Sequence, residues 1–233
     1  FFDDDYYWES AFFNTNVFVT FGKKWREYVE NKAKYFNKDI EVKAIGSNYY
    51  KKIFNSGFGK KLNNKKILYI PTAFLSEERE LRYGAIIDPV YYDRQKYLIE
   101  TLQSLNYEVI YKMHPSDKYK KNNNLGLIAK YNNTKPMIES FKSADIIIID
   151  SAGTAFVEAL CAGKDVIYID LNQRPFNKAN FEDLNSIVKI VPANHDNGIF
   201  YLEKEKLINA LNSPQKNFDK QRELVKEYWL ESD

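Results

Sequence analysis

The chain has 233 residues, with 34 Lys plus Arg against 32 Asp plus Glu and a net charge of +2. A content of 44% hydrophobic and 28% charged residues excludes a disordered or collagen-like chain and is enough for one large or two small cored domains. The longest apolar run, as at Ile146–Ile149, is four residues, against the roughly twenty of a membrane helix. A charge so close to neutral is no footprint for nucleic acid.

The single cysteine, Cys161, excludes an intramolecular disulfide and a thiolate-rich zinc site. With only two histidines, His114 and His195, no metal centre is expected. A reducing, cytoplasmic setting is expected, with the inner face of the membrane as its limit. The opening Phe1-Phe2-Asp3-Asp4-Asp5 lacks the charge and apolar core of a secretory leader, and because it does not begin with Met a piece of a longer protein is expected.

In chain order, residues 1–16 are aromatic and acidic without a clean period, and their aromatics are expected at a packed interface with a further domain. Residues 17–21 (VFVTF) predict a strand, residues 23–35 a helix with Trp25, Tyr28, Val29 and Lys32 at helical spacing, and residues 40–45 (IEVKAI) a second strand. These 47 or so residues read as the end of a first α/β domain. Residues 48–65 hold Lys51, Lys52, Lys60, Lys61 and Lys65 with Gly57 and Gly59 and no acid, which predicts a solvated linker, or a basic hinge beside an anionic substrate or a membrane surface.

From residue 66 strands and helices alternate. Strands are predicted at 67–70, 108–113, 127–129, 145–150, 165–169 and 187–191. Helices are predicted at 91–105 (Tyr97, Leu98, Thr101, Leu102 and Leu105 on one face), 135–142, 154–162 with Gly163 as the cap, 203–211 and 218–230. This alternation predicts an α/β fold with a Rossmann-like, doubly wound parallel sheet over 66–233. In such sheets ligands bind beyond the carboxyl ends of the strands, which singles out the loops after Pro71, His114 and Asp150.

The segment Asp150-Ser151-Ala152-Gly153-Thr154 runs from a strand straight into a helix. The first helical turn offers unpaired N–H groups and a partial positive charge, small residues allow a phosphate close approach, and Ser151 and Thr154 add hydroxyls. The same residues also suit plain helix capping. Neither a Walker loop nor a Gly-x-Gly-x-x-Gly is present. Glu158, one turn after Thr154, lies on the same helix face and suits the hydroxyls of a ribose, or solvent. At the end of the 108–113 strand, Pro115 restrains His114, whose imidazole suits a phosphate or a proton transfer, and Lys112 alternates onto the same face. Thr72, Arg79, Arg82 and Arg174 follow other strands and are further candidate donor contacts. His195, in a turn-rich stretch, reads as a surface residue, and Cys161 as packed.

The His114-Pro115 pair, with Asp150, Ser151 and Thr154, resembles the donor-binding half of GT-B-type glycosyltransferases that use cytidine nucleotides. These include bacterial sialyltransferases, capsule Kdo transferases and the CDP-glycerol glycerophosphotransferases of teichoic-acid synthesis. The resemblance covers about residues 66–211, and residues 17–47 resemble the exit of a GT-B N-terminal domain. It departs from the family at Ala152-Gly153, where a second serine is usual, and at Asp165, which stands where the strand entry usually has proline. The resemblance implies a transferase moving a sugar or polyol phosphate from a cytidine (or uridine) nucleotide donor to a glycan or lipid-linked acceptor. It implies His114 as the catalytic group, Ser151, Ala152, Gly153, Thr154 and Lys112 on the donor phosphate, and Glu158 on the ribose, with no cofactor and no metal. The Asp-Ser-Ala-Gly-Thr stretch and Arg174-Pro175 are also similar to UDP-sugar 2-epimerases, and a non-catalytic transferase half is the third reading.

Overall fold

The computed structural model describes residues 12, 15–56, 65–74, 87–117, 124–129, 131–132, 134–172, 176–196, 199–214 and 216–232. Its larger sheet contains β3 (Lys66–Ile70), β4 (Glu108–Tyr111), β5 (Tyr131–Asn132), β6 (Ile146–Ile149), β7 (Asp165–Asp170), β8 (Val188–Asp196) and β9 (Ile199–Leu202). Their order is β5-β4-β3-β6-β7-β8-β9. All neighbours are parallel except β8 and β9. Numbered from β3, the parallel strands run third, second, first, fourth, fifth, sixth, the order of a Rossmann-like α/β fold. The order reverses between β3 and β6, so the loops leaving these two strands diverge to opposite sides and open a crevice.

Side-chain alternation divides the core. Leu68, Ile70, Ile147, Ile149 and Val166 bury against Phe156 and Leu160 of α6 (Thr154–Cys161) and Leu224 of α9 (Phe218–Val225). Ile67, Tyr69, Ile148 and Ile167 bury on the other face against Leu98 and Leu102 of α3 (Asp88–Ser104) and Leu207 of α8 (Lys204–Asn212). A sheet apolar on both faces needs helices on both, and the run Ile146–Ile149 at its centre is the sequence mark of that burial.

A smaller unit precedes it. β1 (Val17–Thr20) and β2 (Glu41–Ala44) pair in parallel across α1 (Lys23–Tyr35). Phe12, Val29 and Ala33 form its core, with Phe18, Phe36 and Val42 packed around them. The end of the chain returns to this unit. Beyond α9, residues 226–230 wind one wider, π-type turn in which Tyr228 and Trp229 are buried. The Trp229 carbonyl accepts the Ser47 N–H at 2.9 Å, and Ile45 bridges Ser232. Two glycines make this fit. A Cβ on Gly22 would stand 2.3 Å from the Glu227 carbonyl oxygen, and Gly46 has φ +66° with the Leu230 carbonyl 2.6 Å from its Cβ position.

Several expectations need correction. Residues 48–55 of the expected linker are helix α2 (Asn48–Asn55), capped by Ser47 and packed on α6, with Tyr50 and Ile53 buried three residues apart. The charged lysines concealed that short apolar stripe, and residues 57–64 lie outside the described residues. The strand expected at 127–129 is helical α4 (Leu125–Ile128), with Leu125 and Ala129 buried four apart and Leu127 80% exposed; the strand, β5, comes after it. On α3 the buried stripe runs through Tyr91, Arg94, Gln95, Leu98, Ile99 and Leu102, and Tyr97 lies on its exposed side. Helix α7 (Lys178–Ile187) and strand β9 were not anticipated, and His195 is within β8, paired with Phe200, rather than in a loop. Between β5 and β6 the helix expected over 135–142 is only the short α5 (Met137–Ser140), with Pro136 before it as its N-cap rather than inside it. Among the described residues, no helix is long and apolar enough to cross a membrane.

Candidate functional site at the strand-order reversal

Asp150 leaves β6 at the reversal and is 3% exposed. Arg94 Nη2 donates to its Oδ2 at 2.7 Å, the Tyr69 hydroxyl to Oδ2 at 2.9 Å, and the Thr72 N–H to Oδ1 at 2.8 Å. The Tyr91 hydroxyl lies 3.0 Å from Oδ1 and 3.2 Å from the Thr72 carbonyl. Arg94 is itself buried, its guanidinium 4.1 Å above the Tyr91 ring centre. Burial pushes the Asp150 carboxyl up, but Arg94 and the Thr72 and Tyr69 donors outweigh it and hold the group below its ordinary range. The carboxylate is therefore ionised, neutralised by one cation and saturated with donors, as a buried charge must be. Its work is to tie the loop after β3 to the loop after β6.

One residue on, the character reverses. Ser151 and Ala152 are half-buried, and Gly153 and Thr154 are exposed. Gly153 is the N-cap of α6, with no side chain capping the helix. The Gly153 carbonyl accepts the Phe156 N–H at 3.1 Å, which leaves the N–H groups of Thr154 and Ala155 outside the helix's own bonding pattern. Among the described residues a Cβ on Gly153 would meet only the Ser151 Oγ, at 4.0 Å, so none of them blocks the approach to these donors. The opposite end of α6 is fixed. Gly163, at φ +66°, donates to the Leu160 carbonyl at 3.0 Å, and Lys164 N–H donates to Ala159 at 3.1 Å. The buried Gln221 donates to the Leu160 and Lys164 carbonyls. The helix thus presents an open, partly positive terminus from a clamped base.

His114 lies on the same edge, at the end of β4. It follows the last residue of β4 by three, as Ser151 follows β6 by two, and β3 lies between those two strands. It is exposed, and its Nδ1 accepts the Ser116 N–H at 3.1 Å. That bond assigns the proton of the neutral imidazole to Nε2, as a donor. Lys112 follows the last residue of β4 and donates its ammonium to the Lys135 carbonyl; burial lowers its pKa. Thr72 is half-buried and held at the reversal through its backbone. Arg79, Arg82 and Arg174 lie outside the described residues.

Glu158, 5% exposed, accepts from the Tyr49 hydroxyl at 2.5 Å. Burial raises the Glu158 carboxyl, an effect the Tyr49 bond partly offsets. Burial and the same bond push the Tyr49 phenol up to about 12. The ribose candidate is thus already engaged by a residue read in the sequence as linker. Asp170, which ends β7 on this edge, was also missed. Burial raises its carboxyl against an N–H bond from Asn172. Cys161 is buried, packed as expected, and that burial pushes its thiol up. Among the described residues no group of three or more His, Cys, Asp or Glu is placed to hold a metal ion.

The structure therefore brings together Thr72, Asp150, Ser151, Ala152, Gly153 and Thr154, sets Glu158 one turn behind them, and leaves His114 beyond the end of β4, on the other side of β3. No protein-family model matches the chain, and no curated protein is significantly similar to it.

Proposed function

We propose that this chain is the donor-binding part of a GT-B-type transferase, acting on a nucleotide-activated sugar or polyol phosphate with a cytidine nucleotide preferred, and passing the group to a glycan or lipid-linked acceptor. The observation that carries this reading is the uncapped, open N-terminus of α6 at the strand-order reversal. Dinucleotide and mononucleotide phosphates use that position of an α/β sheet for a physical reason: backbone donors converge there without a side chain in the way.

Transfer leaves negative charge on the departing nucleotide phosphate as its bond to the transferred group breaks. In this reading the Thr154 and Ala155 N–H groups and the Ser151 and Thr154 hydroxyls receive that charge, with His114 Nε2–H as the donor from the far side. Such donors are fixed before the reaction and cost little reorganisation during it. Asp150 does not repel the phosphate, because Arg94 neutralises it from below. The β1–α1–β2 unit, docked by the C-terminal turn, is read as the acceptor side.

The test is a calorimetric titration with CMP, CDP, UMP and UDP of the wild type and of His114→Ala. The expected result is cytidine-nucleotide binding that weakens about tenfold or more in the variant, the size of one charge-assisted hydrogen bond. A uridine preference turns the reading toward a UDP-sugar enzyme, and absence of binding to all four overturns it.

A further inference from the structure

Tyr49 is held in an unusual way. Its neighbours on α2 are anchored: Ser47 caps the helix, and Tyr50 is buried with its ring edge-on to Phe21 at 5.8 Å. Tyr49 itself is 46% exposed, and its polar end is fixed by the bond to Glu158. The residue that holds it is buried on α6, one turn from Thr154. One turn is about 5.4 Å along the helix axis. A nucleotide with its phosphate at the first turn of α6 carries its sugar a comparable distance onward, over Glu158. A carboxylate accepts both hydroxyls of a vicinal diol, one on each oxygen. In the structure one of those oxygens, Oε1, is taken by Tyr49.

We infer that the Tyr49 hydroxyl occupies the place on Glu158 that a ribose hydroxyl takes when nucleotide binds, which makes Tyr49 a specificity residue of this site. The inference rests on the nucleotide reading above. A ligand must displace one phenol O–H, and only a sugar offering two O–H groups gains a hydrogen bond in the exchange. A sugar without the diol leaves Tyr49 where it is and binds through its phosphate alone. The site thereby selects ribonucleotides by a competitor built into α2.

The experiment is calorimetric titration of the full chain with CMP, UMP and their 2′,3′-dideoxy counterparts, on wild type, Tyr49→Phe and Glu158→Gln. Tyr49→Phe keeps the ring and removes only the hydroxyl, and thermal unfolding checks that the fold is retained. The expected result is ribonucleotide binding about tenfold tighter in Tyr49→Phe, the worth of one hydrogen bond to a charged group. Dideoxynucleotide binding is expected to be unchanged by Tyr49→Phe. Glu158→Gln is expected to weaken the ribonucleotides several-fold and leave the dideoxynucleotides alone. Ribonucleotide binding by the wild type that is unchanged or weakened in Tyr49→Phe overturns the inference and leaves the nucleotide site standing. Failure of the wild type to bind any of the four ligands overturns both.

Discussion

Asp150 and Ser151 are adjacent in the chain and opposite in character. Asp150 is buried, ionised and bonded by Arg94, Tyr69, Tyr91 and Thr72, while the stretch from Ser151 to Thr154 opens outward and leaves a helix terminus uncapped. The inner layer satisfies the buried carboxylate, and the outer layer leaves helix donors unused. A site that must meet a phosphate needs both. Donors hold their aim only if the backbone that carries them is fixed from beneath, and the Thr72-to-Asp150 bond fixes the two loops that frame the crevice.

The two layers are separable by mutation. The largest effect is expected in the inner layer: Asp150→Ala or Arg94→Ala strands the other charge in the core and lowers stability by about 3–5 kcal/mol, read by urea unfolding. A smaller loss, about 1–3 kcal/mol, is expected for Gly22→Ala, because a Cβ there collides with the Glu227 and Tyr228 backbone that docks the chain end. That variant tests the joint between the two units and is expected to spare the donors of α6.

Acid should distinguish the layers next. The Asp150 carboxyl is held below its ordinary value in the folded state, so between the folded and unfolded values the unfolded chain binds more protons. The stability that Asp150 contributes is therefore present above the ordinary value of 3.8 and is lost as pH falls through the folded one. Glu158 has the opposite sign: its raised carboxyl favours the folded state at low pH, and that contribution is lost as pH rises from its ordinary value of 4.5 through the raised one. Unfolding measured against pH should show the Asp150 slope vanish in Asp150→Asn and the Glu158 slope vanish in Glu158→Gln.

The smallest stability change is expected in the outer layer. Gly153 has φ −84° and ψ −161°, an extended backbone that any residue adopts. Gly153→Asp supplies the missing cap and is expected to raise stability by a few tenths of a kcal/mol, about the difference between these two caps. The same carboxylate occupies and repels the phosphate position, so nucleotide binding should be lost from a protein that is slightly more stable. A variant that loses stability and retains binding would break the distinction between the layers.

Much of the frame was legible because its signals are local. The helix over 23–35, the strand–helix turn at Asp150–Thr154 and the Gly163 cap each rest on spacing or on a residue with one conformational use. The inner layer was not legible, because Arg94 and Asp150 are 56 residues apart and meet only when α3 packs across β3 and β6. A signal was present: Arg94 lies in the helical stripe between Tyr91 and Leu98, and a cation within an apolar stripe requires a buried counter-charge. Tyr49 was hidden by the lysines of its stretch, although Ser47 as a cap and Tyr50 and Ile53 at helical spacing marked α2. β9 was missed because the residues between it and β8 read as turn, and the pairing that makes it a strand comes from β8.

The central claim is that the open terminus of α6 receives the phosphate of a nucleotide. It is tested most directly by amide proton–nitrogen NMR during titration with CMP. The Thr154 and Ala155 amides are expected to shift most, downfield as they gain an anionic acceptor, with the Ser116 amide following through His114. Saturating CMP that leaves Thr154 and Ala155 unmoved would contradict it.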